Sequence, residues 1–113
     1  MFTNKTILSP TDFHEKAQKA QEYALEAAAR TQSDLHFLHA VEEPYDFATR
    51  VEETVEACME AAEERFEEIL EAVRQDERYK KIETDYLIKR GRPYSTIMGT
   101  AHELNADLIV MGT

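Results

Sequence analysis

Apolar positions along the chain recur in two rhythms. Residues 5–9, KTILS, form a short apolar run closed by Pro10, the pattern of a buried strand. Thr11 and Asp12 follow, with side-chain oxygens suited to a turn and a helix start. Over residues 13–30, Phe13, Ala17, Ala20, Ala24 and Ala28 fall at helical spacings and make a face of small residues that can approach a sheet closely. Residues 35–41, LHFLHAV, are apolar on both faces, as in a central parallel strand. Pro44 closes the loop after it. Phe47, Val51, Val55, Cys58, Ala62, Phe66, Ile69 and Val73 then mark a long amphipathic helix, the strongest periodic signal in the chain. Arg74 and Arg78 stand near its end, where cations suit the macrodipole.

Residues 82–89, IETDYLIK, predict a third strand. Gly91-Arg92-Pro93 predicts a strand-to-helix turn with the proline in the first helical turn. Ile97, Ala101 and Leu104 stripe a short helix that Asn105 can end, and residues 107–111, DLIVM, predict a fourth strand. Strands alternating with helices imply parallel crossovers, hence an α/β, doubly wound parallel sheet in one domain over residues 1–113. Ligands of such sheets sit beyond the carboxyl ends of the strands, near the reversal in strand order. Four segments lie there: 9–13, 40–43, 90–93 and 111–113.

Composition narrows the partners. The 113 residues hold 13 Lys+Arg and 23 Asp+Glu, a net charge of −10, which argues against nucleic acid and anionic membranes. The acidity is local. Residues 42–77 contain 14 acidic and 3 basic residues, and the remainder 9 acidic and 10 basic. Like charges at i,i+4, such as Glu56/Glu60 and Glu60/Glu64, oppose an isolated helix, so this segment needs tertiary packing. Its acidic face reads as a solvated surface or as a docking surface for a protein partner. No apolar run reaches the ~20 residues of a membrane span. No secretion signal opens the chain and Cys58 is the single cysteine, so the default compartment is the cytoplasm. On the apolar stripe, Cys58 is expected in the core.

Familiar catalytic signatures are missing. Gly91, Gly99 and Gly112 cannot make G-x-G-x-x-G or a Walker-type loop. His36 and His39 differ by three on a strand, face opposite ways, and cannot chelate one ion; no metal site is expected. His39 is expected to be packed or hydrogen-bonded.

The four loop segments together resemble the universal stress protein family. ILSPTDF at 7–13 is similar to the family's strand and P-T-D turn, and LHFLHAVEEP at 35–44 to its second strand. Gly91-Arg92-Pro93 with Ile97 matches the G-x-P…I helix entry, and Ala101 with DLIVMG at 107–112 matches the A…DLIVMG block. The resemblance covers nearly the whole chain. It implies a Rossmann-like fold with strand order 3-2-1-4-5, a homodimer, and binding of ATP or AMP. Carried over by position, Pro10, Thr11 and Asp12 would line the adenine and ribose end, and Ala40 would meet adenine through its backbone. Met111, Gly112 and Thr113 would begin the nucleotide loop. Asp12 fits equally a role as helix cap. His14 stands where the family often has a capping serine. The family's loop G-x2-G-x9-G-(S/T) and fifth strand are not in the chain, so four strands of five are expected, the domain looking incomplete at its C-terminus.

Three functions follow as expectations. The first is an adenine-nucleotide-binding sensor or regulator of the stress response. The second is a dimeric interaction module acting through its acidic helix without nucleotide. The third is catalysis, at most a slow ATPase, because no Walker lysine, general base or metal cluster is visible.

Overall fold

The computed structural model describes residues 5–43 and 51–112. Pro44, Phe47, Thr113 and the side chain of Val51 lie outside the described residues. The elements run β1 (Thr6–Pro10), α1 (Glu15–Thr31), β2 (Asp34–Val41), α2 (Val51–Gln75), a 3-10 turn at Glu77–Tyr79, β3 (Thr84–Arg90), α3 (Pro93–Glu103) and β4 (Leu108–Ile109). The sheet is parallel throughout, in the order β3-β2-β1-β4. The doubly wound α/β expectation holds. So does the order of the first four strands.

The chain steps from β1 to β2 to β3 in one direction, then crosses back past β1 to β4. With right-handed crossovers, α1 and α2 cover one face of the sheet and α3 the other. The main core lies under α1 and α2. Ile7, Leu35 and Phe37 from the sheet meet Ala24, Leu25 and Ala28 of α1 and Phe66, Leu70 and Val73 of α2. The small side chains of α1 let it sit close to the strands. Phe66 is the bulk of α2's contribution. It is fully buried, worth about 1.5–3 kcal/mol relative to exposure. This packing overcomes the like-charge pairs along α2.

Element ends follow local chemistry. Asn105 adopts φ 51° after α3. Its N–H donates to the His102 carbonyl and the Ala106 N–H to the Ala101 carbonyl, so the predicted stop is a Schellman motif. Gly91 adopts φ +147°, outside the range most side chains tolerate, and Pro93 opens α3.

Several elements differ from expectation. Phe13 is not the first residue of α1: the helix begins at Glu15 and Phe13 takes φ 66°. The Thr11 and Asp12 side chains bond the amides of Phe13 and His14 and hold the chain in a turn there. Cys58 is exposed. The inward line of α2 runs Val55, Met59, Ala62, Phe66, Leu70, Val73, with Met59 half-buried, so Cys58 and Ile69 fall to its flank. The third strand begins at Thr84 because Ile82 is still held in a turn by its N–H bond to the Tyr79 carbonyl. Arg78 likewise lies past α2, paired with Asp76. The fourth strand shrinks from five residues to Leu108–Ile109. Among the described residues it pairs with β1 alone, and Leu108 and Met111 are 47% and 50% exposed.

Candidate functional site

The crevice forms where β1 and β4 leave the sheet. Helices depart to opposite faces at this reversal, so the strand ends diverge and leave a cavity of about 230 Å³. From the β1 exit it is lined by Pro10, Thr11 and Asp12, and from α1 by Lys16 and Ala17. Leu38, His39 and Ala40 line it from β2, Pro93 and Ile97 from α3, and Met111 and Gly112 from beyond β4. The structure thus brings Pro10, Thr11, Asp12, Ala40, Met111 and Gly112 around one cavity. Thr113 is outside the described residues. A larger, shallower depression of about 710 Å³ lies between α1 and α2. Arg30–Glu26 and Arg78–Asp76 pair on its rim, and it is away from the strand ends.

Thr11 anchors the near wall. It is buried, and its N–H donates to the Leu38 carbonyl at 2.8 Å. Its carbonyl accepts from His39 Nδ1 at 2.8 Å, which fixes the neutral ring as the Nδ1–H tautomer because a carbonyl only accepts. Its Oγ1 accepts the Phe13 N–H at 3.0 Å. Asp12 is exposed beside it. Oδ1 accepts the His14 N–H at 2.9 Å, leaving acceptor capacity on the carboxylate for the cavity. Asp12 therefore braces the entry to α1, while His14, the residue at the helix cap, makes no side-chain capping bond.

Ala40 presents main chain rather than side chain. In a parallel ladder the backbone groups of alternate residues point to opposite neighbours. The Leu38 carbonyl points to β1 and accepts from Thr11; the Val41 carbonyl points to β3 and accepts from Gly91. Ala40 has the sense of Leu38, but β1 ended at Pro10, so its N–H and C=O face the crevice. Glycine at position 112 serves a close approach of two backbones. A Cβ there would stand 2.8 Å from the Lys16 carbonyl oxygen and 3.1 Å from the Ala17 nitrogen, so glycine lets β4's exit lie against α1.

Lys16 is the residue that pattern reading missed. Helical periodicity puts it on the solvent side of α1. Its signal was its place in the first turn of a helix entered from a strand's carboxyl end. Lys16 is exposed at the cavity's lining and, among the described residues, has no ion-pair partner. His39 shows the hydrogen-bonded role expected of it. His36 faces the other way and bonds Asp85 across the sheet. Among the described residues no group of three or more His, Cys, Asp or Glu could hold a metal ion, and no helix is long and apolar enough to cross a membrane.

Comparison with known proteins returns one family. A model described as the universal stress protein family matches residues 3–113. Among solved structures, the universal stress protein UspA from Lactobacillus plantarum is 24% identical, with a TM-score of 0.78 over 100% of this chain and 81% of that one. A universal stress family protein from Burkholderia pseudomallei is 22% identical, with a TM-score of 0.83 over 96% of this chain and 81% of its own. A universal stress protein in complex with cAMP is 20% identical, with a TM-score of 0.55 over 96% of this chain and 72% of that one. At these identities the likeness is one of fold. No curated protein sequence matches significantly.

Proposed function

The chain belongs to the universal stress protein family, and we propose that it binds an adenine nucleotide, ATP or AMP, in the crevice at the ends of β1, β2 and β4. It acts there as a sensor or regulator of the stress response rather than as a catalyst. The observation that carries this reading is the convergence of Pro10, Thr11, Asp12, Ala40, Met111 and Gly112 on one cavity of about 230 Å³. The chemistry is suitable. The outward N–H and C=O of Ala40 offer a donor and an acceptor to the edge of a purine. Leu38, Ile97 and Met111 supply apolar contact to its faces. Asp12's free oxygen accepts from ribose hydroxyls, and the Lys16 ammonium meets phosphate. The ligand class is also supported by the relative of the same fold recorded with cAMP. Titration of ATP into the protein tests the reading: saturable binding that Asp12→Ala weakens is expected, and no saturable binding overturns it.

The same reading takes the protein as a single-domain cytoplasmic homodimer. Light scattering tests this by mass. A second reading rests on α2, where Glu60, Glu63, Glu64, Glu67 and Glu68 are all exposed and line one shallow depression. A partner with a basic surface would dock there. Pulldown by the wild type, lost on charge reversal at Glu60, Glu64 and Glu67, is the expected result.

A further inference from the structure

The segment that carries Asp12 is bent in a way its own sequence does not favour. Phe13 is a bulky residue at φ 66°, a region such side chains seldom occupy. The local bonds from Thr11 Oγ1 and Asp12 Oδ1 shape the turn, but they say nothing about where it lies relative to the sheet. Two links to β2 do that. One is the Thr11 N–H to the Leu38 carbonyl, a main-chain bond any residue could make. The other is the His39 side chain. Its Nδ1–H donates to the Thr11 carbonyl, and its ring lies 4.7 Å from the Phe13 ring, tilted 40°. Phe13 in turn rests edge-on against Phe66 at 4.9 Å, with the Arg65 guanidinium 5.0 Å from its ring centre. One imidazole therefore fixes the turn at the carbonyl before Asp12 and at the side chain after it.

We propose that His39 is the positioning residue of the crevice: by donating to the Thr11 carbonyl it sets where the Asp12 carboxylate stands. The effect on ligand rests on the nucleotide reading above; the effect on the turn does not. A packing role and a positioning role predict opposite variants. Asparagine keeps a donor near the place of Nδ1 but loses the ring's bulk. Leucine keeps bulk and loses the donor. If His39 merely fills space, His39→Leu is mild and His39→Asn is worse. If it positions the turn through its donor, the order reverses.

The test has two arms. In ligand-free protein, amide hydrogen exchange over residues 11–14 is measured for the wild type, H39L and H39N, with their melting curves alongside. H39L should speed exchange of the Phe13 and His14 amides by about fivefold or more, the scale of one lost hydrogen bond, while H39N stays near wild type and α3 is unchanged. If H39L does not fold, His39→Ala replaces it. Equal exchange in the wild type and the donorless variant, or equal acceleration in both variants, overturns the proposal. In the second arm ATP is titrated into each protein. Affinity should fall by about fivefold or more in H39L and recover in H39N. Altered exchange with unaltered affinity also overturns the positioning role. A wild type that binds no ATP removes the nucleotide reading and leaves the exchange arm to decide the structural claim.

Discussion

A Cβ placed on Gly112 would stand 2.8 Å from the carbonyl oxygen of Lys16. The exit of β4 therefore lies directly against the first turn of α1, and the two walls of the crevice are in contact along their backbones. The neighbours are helix main chain, which cannot swing aside as a side chain can. Gly112→Ala should force the walls apart and destabilise the fold by about 1–3 kcal/mol, the usual cost of overpacking. Urea unfolding measures it. A midpoint equal to the wild type would show that the helix yields at no cost.

The inward line of α2 makes a paired prediction. Phe66 is fully buried among Phe13, Phe37 and Tyr86, with ring centroids 4.9, 6.3 and 4.9 Å away. Phe66→Ala should cost about 3–5 kcal/mol, since the cavity left between helix and sheet cannot fully collapse. Cys58 on the same helix is exposed. Cys58→Ser should change stability by no more than about 0.5 kcal/mol, and a thiol reagent should modify Cys58 in the folded protein. Protection of that thiol until unfolding would return it to the core.

Tyr86 donates its hydroxyl to Glu67 Oε1 at 2.7 Å, tying β3 to α2. That hydrogen bond, with burial and the carboxylate charge behind it, pushes the Tyr86 phenol up to about 12. The sign follows from which state loses its proton first. The unfolded chain releases it near the ordinary value of about 10, so the contribution to stability is complete below that pH and is lost as pH rises through about 12. Absorbance at 295 nm should show a late tyrosine ionisation from Tyr86. Tyr86→Phe should remove that step and Glu67→Ala should bring it earlier. A late step that survives Tyr86→Phe would assign it elsewhere.

Much of this architecture was legible in sequence because it rests on local signals. LHFLHAV is apolar on both faces, and it became β2, flanked by strands on both sides. Asn105 and Pro93 marked the ends of α3 through their own backbone preferences. The crevice was legible to the extent that a strand's end is. Pro10, Thr11, Asp12, Ala40, Met111 and Gly112 each stand where a parallel strand stops. What failed depended on choices between near neighbours or on contacts distant in sequence. Cys58 and Met59 differ by one step around α2, and periodicity alone does not decide which turns inward. Among the described residues β4 pairs with β1 alone and keeps two of the five residues expected. Lys16 was missed because periodicity assigns it to the solvent side of α1, and the His39–Thr11 bond because it joins segments separated by a whole helix, which no spacing rule reports.

The central claim is that the crevice binds an adenine nucleotide through the wall that Asp12 belongs to. Isothermal titration of ATP into the wild type and Asp12→Ala tests it most directly. The account predicts saturable binding at one site per chain, weakened about tenfold or more by the substitution, the scale of a hydrogen bond to a charged group. Binding of equal strength in both proteins, or none in the wild type, would contradict it.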